Sequence, residues 1–328
     1  MTKKYDLITF DIPYLDYIVP VSFDDIQALG LPLGSSSHKA DLNDCLQLAA
    51  RYGCRAMPGG ALSNAAATAA ALGHTCAHFG VTGPDEAGDT IRTNFAARGI
   101  TDLYIRTDES TRSPFLYALL TPDNDRTFAT FPGSGDTMLP ENLPPELEKK
   151  GRIFFGLARV IVRSGADAFL GPLFAAARAQ GATVAINLHA SKAIDPFAAR
   201  ARDFTTRYGD IVIGNETEFS VYLDTNDPES ELHKPRYDDK TYVMTRGSKD
   251  IFVRTAEGVQ TFPVTPCDQI TDSIGAGDNF AAGFLSGILD GQPLEACIQR
   301  GHACASEILG IEGGQPPLGA DWRHLRRR

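Results

Sequence analysis

The feature that most restricts the fold of this chain is a rhythm, in which short apolar runs alternate with helical patterns over most of its length. Leu7–Phe10, Thr75–Gly80, Arg152–Phe155, Thr183–Leu188, Ile211–Ile213, Thr241–Thr245 and Asp250–Thr255 read as strands. Ala61–Leu72, Glu86–Arg98, Leu170–Gln180 and Asn279–Leu289 read as helices, with Gly73, Gly99, Gly181 and Gly291 where C-terminal cap glycines belong. Such alternation predicts an α/β protein with a central, mostly parallel sheet covered on both faces. Two stretches break the rhythm. Asp16–Asp44 is polar and loop-rich, with one short helix expected near Phe23–Leu29. Asp102–Phe131 holds β-like pieces (Leu103–Ile105, Phe115–Leu120, Thr127–Phe131) suited to a small antiparallel sheet beside the main body. On pattern alone, a lid over a site and a surface decoration remain equal readings.

With 328 residues, 43% of them hydrophobic, the chain has enough apolar material for one large core. Its formal charge of −10 argues against nucleic acid or an anionic membrane as partner, since both demand a basic surface. The short basic run Arg326–Arg328 reads as a solvated tail. The six cysteines are scattered, without a CxxC pair or an apolar leader ahead of them, so free thiols in the cytoplasm are expected. No stretch approaches the roughly 18 uninterrupted apolar residues of a membrane span.

Chemistry concentrates late in the chain. In Asp272-Ser273-Ile274-Gly275-Ala276-Gly277-Asp278, two glycines flank a small residue just before a helix. The amides of Gly275, Ala276 and Gly277 can then approach an anion closely, helped by the helix dipole. Asp278 stands where it can take a proton from a hydroxyl at the same point. A glycine-rich turn with a structural Asp explains the short motif equally well. The longer phrase, continuing through Asn279-Phe280 to Gly283-Phe284, resembles the second signature of the ribokinase-like (PfkB-type) kinases, with Ser273 in place of the usual Thr.

Other segments resemble that family in the same order. Gly59-Gly60 followed by Asn64 is similar to its first signature, which implies that Gly59, Gly60 and Asn64 hold a polyol, together with Asp16 near the N-terminus. The glycine expected five residues before Asp16 is Asp11 here, read either as a turn residue or as a substrate contact. Asn215 and Glu218 match an Asn-x-x-Glu pattern tied to magnesium, held through water; a helix capping box has the same spacing. Thr245-Arg246-Gly247 falls where the family places a nucleotide-phosphate loop, with Asp272 and Ser273 also on the nucleotide side; a solvated Arg246 competes with a phosphate contact.

The resemblance implies a three-layer ribokinase-like fold with a small β lid. Residues 1–13, 45–101 and 133–328 would form the core, and 14–44 and 102–132 the lid. It implies ATP and Mg2+, with a monovalent cation such as K+ as a further candidate, in a monomer or homodimer. Asp125–Ser134 and Asn187-Leu188-His189 lean toward the adenosine-kinase-like branch, with Tyr14, Phe115 and Phe131 as candidate platforms for a base. Phe155-Gly156-Leu157 departs from that branch and keeps a sugar acceptor open. A non-catalytic ligand sensor would not need the intact Gly-Ala-Gly-Asp. A dinucleotide oxidoreductase is excluded by the lack of GxGxxG after the first strand.

Overall fold

The computed structural model describes residues 3–327 except 35, 38–39, 103–104, 124–125, 190–196, 238 and 268. In chain order the strands are β1 (Tyr5–Phe10), β2 (Tyr14–Pro20), β3 (Ser36–Ser37), β4 (Arg55–Gly59), β5 (Cys76–Thr82), β6 (Ile105–Thr107) and β7 (Phe115–Leu120). They continue as β8 (Arg126–Phe131), β9 (Gly151–Leu157), β10 (Thr183–Asn187), β11 (Ile211–Asn215), β12 (Thr241–Arg246), β13 (Lys249–Thr255) and β14 (Gly258–Phe262). Among the described residues, nine strands make one sheet in the order β14-β13-β12-β11-β10-β9-β1-β5-β6. From β12 to β6 every pairing is parallel, while β13 and β14 add an antiparallel edge.

The central strands are buried on both faces, which explains their near-continuous apolar runs. Phe10, Phe79, Phe154 and Phe174 meet in the middle; the Phe10 ring lies 5.9 Å from Phe154 and 5.1 Å from Phe174. The helices Ala276–Leu289 and Leu294–Leu309 pack closely because Gly283 and Gly287 lack side chains. A Cβ on Gly283 would stand 2.6 Å from the Arg300 carbonyl, and one on Gly287 2.7 Å from Cys297 Cα.

A second sheet runs β3-β8-β7-β2-β4. Its composition departs from the sequence reading in three places. Asp16 and its neighbours lie inside β2, not a loop: Leu15, Ile18 and Val19 are buried, and β2 is paired on both sides, antiparallel to β4 and parallel to β7. Arg55–Gly59, assigned to the core from sequence, joins this sheet, since its mostly exposed residues carry no apolar pattern to announce a strand. Ile105–Thr107, assigned to the lid, pairs with β5 of the large sheet. Residues 103–104 and 124–125 of the expected β-like stretch lie outside the described residues. β1 continues through Asp11–Pro13 into β2, so the two sheets meet at the C-terminal edge of the parallel strands. That edge is where open parallel sheets bind ligands.

Candidate active site

The glycine-rich segment closes on a second glycine pair. Gly275 caps the helix Ala276–Leu289 with φ +74°, and a Cβ there would lie 2.7 Å from Gly314 Cα. No side chain caps this helix end, and a Cβ on Gly277 would meet nothing within 4 Å. The Ala276 amide reaches only the Ser273 carbonyl, at 3.5 Å, and a helix end without a side-chain cap is suited to an anion. Asn279, fully buried, donates from Nδ2 to the carbonyls of Gly275 (2.8 Å) and Gly314 (2.9 Å), while its Oδ1 accepts from Thr68 Oγ1.

Asp272 braces the loop from below. Its carboxylate accepts from the amides of Ile274 (2.7 Å) and Gly313 (2.9 Å) and pairs with Arg126 of β8 at 2.9 Å. Those three partners make it a brace for the backbone of the loop. Ser273 beside it is exposed.

Four carboxyls and an amide converge above the loop. Asp278 Oδ2 accepts from Asn64 Nδ2 at 2.9 Å. Asn64 lies on the Ala-rich helix Ala61–Ala71, which starts right after the Gly59-Gly60 turn. The Asp16 carboxylate lies over Gly59, where a Cβ would come within 2.2 Å of its Oδ2. Asp16 Oδ1, Asn64 Oδ1 and Ser63 Oγ are buried polar atoms without a hydrogen-bond partner. Burial raises the Asp278 carboxyl to about 7, against the opposing Asn64 bond. Asp16 rises to about 7 through burial and the neighbouring Asp278 charge. Glu218 reaches about 7 mainly by burial, with the Asn215 amide opposing and Asp278 adding. Asp11, buried and bonded to the Leu62 amide at 2.9 Å, also rises to about 7, with burial as the first cause. Mutual charge effects place all four in one electrostatic site.

The Asn215–Glu218 pair does form a capping box: Asn215 Oδ1 accepts from the Glu218 amide (2.9 Å), and Glu218 Oε2 from the Asn215 amide (2.8 Å). The same box turns Glu218 toward Asp278, so capping and a site role coexist. No three His, Cys, Asp or Glu side chains group as a metal cage among the described residues. Thr245 and Arg246 do not join the cluster. The Arg246 guanidinium pairs with Glu229 at 2.5 Å and donates to the Asp250 carbonyl at 2.7 Å. Gly247, at φ +63°, makes the β12–β13 turn. Phe115 and Phe131 stack on each other at 5.0 Å within the second sheet, and Tyr14 bonds Arg163. The sequence reading passed over Asn279, Gly313, Gly314 and the pairing role of Arg126. The Gly313-Gly314 doublet was the one visible signal among them.

A family model described as "pfkB family carbohydrate kinase" matches residues 37–320. Adenosine kinase from Saccharomyces cerevisiae is 27% identical over 324 residues, covering 92% of each chain. Probable fructokinase-3 from Arabidopsis thaliana is 26% identical over 282 residues, covering 80% of each. Among solved structures, adenosine kinase from Sinorhizobium meliloti superposes with a TM-score of 0.87 at 22% identity, covering 99% of this chain and 100% of that one.

Proposed function

Since the chain belongs to the pfkB carbohydrate kinase family, and is thereby a phosphotransferase acting on hydroxyl groups, we propose that it moves the γ-phosphoryl of ATP to the primary hydroxyl of a nucleoside. The observation that carries this reading is the Asn64–Asp278 hydrogen bond at the uncapped helix end. It joins a proton acceptor and a polyol-binding amide, 214 residues apart in sequence, beside an anion cradle.

In this reading the acceptor fills the space between Asp16, Gly59, Gly60 and Asn64. Its hydroxyls satisfy the unpartnered Asp16 Oδ1 and Asn64 Oδ1. Its reacting hydroxyl gives its proton to the Asp278 carboxylate as the new O–P bond forms and ADP departs. The amides of Gly275, Ala276 and Gly277 hold the transferring phosphoryl, whose negative charge they face without reorganisation. Glu218 and Asn215 suit a hydrated Mg2+, which supplies positive charge to the nucleotide phosphates; the lack of a three-ligand cage fits a metal held largely by water and phosphate. The second sheet serves as the lid, excluding the water that competes for the phosphoryl group.

A sugar acceptor is the second reading, favoured by the fructokinase relative and by Leu157 at the end of β9, where the adenosine-kinase-like branch carries Tyr. An ADP-release screen over nucleosides, pentoses, hexoses and their phosphates separates the two. Turnover with a nucleoside and not with free sugars supports the first reading, and the reverse pattern overturns it. No acceptor-dependent ADP release with any of them rejects both.

A further inference from the structure

Asp11 stands where the family resemblance leads one to expect glycine, and it is 2% exposed. We propose that Asp11 is a positioning residue of the acceptor site, clamping the Gly60–Asn64 turn to the end of β1 through its bond to the Leu62 amide. The proposal deepens the kinase reading and rests on it for the identity of the ligand.

The helix Ala61–Ala71 begins without a cap of its own. Its N-cap is Gly60, which has no side chain to offer. Glycine is required there, since φ is +98° and a Cβ would lie 2.7 Å from the Ile12 carbonyl. The first-turn amides therefore need an acceptor from elsewhere in the chain. Asp11 Oδ2 supplies it across 51 residues of sequence, at 2.9 Å from Leu62 N. Asn64 follows two residues later on the same first turn, and its Nδ2 reaches Asp278 at 2.9 Å. One carboxylate thus fixes the helix end that carries the acceptor-binding amide.

Asp11 is itself held in place. Its amide donates to the Phe79 carbonyl at 3.2 Å. Its carbonyl accepts from His78 Nε2 at 3.2 Å, and because a carbonyl only accepts, that nitrogen carries the proton. Nδ1 is then left to accept from Thr9 Oγ1 at 2.8 Å. The His78 ring, fully buried, stacks on Phe95 at 5.0 Å. The chain Thr9–His78–Asp11–Leu62 is a relay of fixed geometry that ends on the acceptor turn. Asp278 and Arg163 are the charged groups acting on the Asp11 carboxyl, with Tyr14 beside Arg163.

The competing account is that Asp11 touches the acceptor through its charge. Asp11→Asn and Asp11→Ala separate the two, because Asn keeps an acceptor oxygen for Leu62 N and loses the charge. Acceptor affinity is measured by calorimetry and by the KM–kcat split, with the best acceptor of the ADP-release screen. Asp11→Ala is expected to weaken acceptor binding by about 10- to 100-fold, the worth of one hydrogen bond to a charged group. The KM for ATP should stay unchanged, and Asp11→Asn should remain within a few-fold of wild type. Equal losses in Asn and Ala overturn the proposal in favour of direct contact, and an unchanged Ala variant overturns it outright. Should Asp11→Ala fail to fold, Asp11→Glu keeps the charge but displaces the carboxylate by a methylene. A wild-type acceptor KM in Asp11→Glu likewise overturns the clamp. These outcomes are independent of Asp278, whose failure as a base would instead show as turnover surviving Asp278→Asn.

Discussion

The two ends of the large sheet solve the burial of polar groups in opposite ways. At the N-terminal end, His74 Nε2 meets Ser286 Oγ at 2.7 Å, and Arg300 Nη1 reaches both Ser286 Oγ (3.1 Å) and Asp290 Oδ2 (2.7 Å). Arg326 binds Asp290 from the other side and donates to the Leu72 carbonyl. Burial works to raise the Asp290 carboxyl, but hydrogen bonds from Arg326 and Arg300 outweigh it and its pKa is lowered. At the C-terminal end, Asp11, Asp16, Glu218 and Asp278 crowd together, and burial raises all four. One end pairs its charges and spends them on stability. The other keeps like charges close and leaves oxygens unpartnered, an arrangement that is costly unless a ligand completes it.

The largest way to break this contrast is Asp278→Asn. It should fold and bind nucleotide yet lose about 10²- to 10⁴-fold in kcat, the usual worth of a general base; steady-state kinetics reads this directly. Near-wild-type turnover would remove Asp278 from the chemistry. The counterpart at the other end is Arg300→Ala. Its side chain is 1% exposed, and its loss leaves Asp290 to Arg326 alone, which should cost about 1.5–3 kcal/mol in urea unfolding, the worth of a hydrogen bond to a charged group. In the surviving folded fraction the KM for acceptor and ATP should not move. A stability loss below about 1 kcal/mol, the size of an exposed pair, would mean Arg326 alone satisfies Asp290.

pH sharpens the same comparison. The four carboxyls at the site have folded values raised to about 7 from an ordinary value near 3.8 to 4.5. Between those limits the folded state holds more protons than the unfolded one, so stability falls as pH rises through the window. With Asp278 as the proposed base, turnover requires its ionised form, so kcat/KM for the acceptor should rise over the same window. Thermal unfolding and turnover measured together should therefore run in opposite directions from about pH 5 to 8, the usual working range. Asp278→Asn should flatten the stability slope in part and be more stable than wild type above neutrality. A stability curve that rises with pH across this range would mean that the four groups are not proton-loaded in the folded state.

One side of this contrast was legible in the sequence and the other was not: Arg326, read as part of a solvated tail, instead holds Asp290 and the Leu72 carbonyl. The strands of the parallel sheet showed themselves because burial on both faces makes them continuously apolar. Arg55–Gly59 did not, because an edge strand with exposed residues carries no such run; its pairing with β2 is fixed by backbone. The convergence of Gly59–Asn64 with Asp278 was implied by the family resemblance alone, since the two segments lie 214 residues apart. Asp272 could not be placed that way. Its role depends on Arg126 and Gly313, which are distant in sequence, and the motif alone cannot tell a ligand contact from a brace. Asp11 stayed open between a turn residue and a substrate contact for the same reason, since the Leu62 amide it accepts from lies 51 residues away in sequence.

The smallest expected effect concerns how the second sheet is fastened over the site. Two ion pairs link it to the large domain: Arg126 of β8 with Asp272, and Arg55 of β4 with Glu312. The first is nearly dry, with side chains 11% and 0% exposed, while the second is open to solvent at 60% and 41%. Water screens the exposed pair and both long side chains lose freedom in making it, so Arg55→Ala should cost only about 0.2–1 kcal/mol of stability. Whatever Arg55 contributes should fade with salt, since exposed charges are screened over about 10 Å at 0.1 M. Any change in acceptor KM should therefore be a few-fold at low salt and vanish at high salt. A salt-independent loss in Arg55→Ala would show that Arg55 acts through the packing of its side chain and not through its charge.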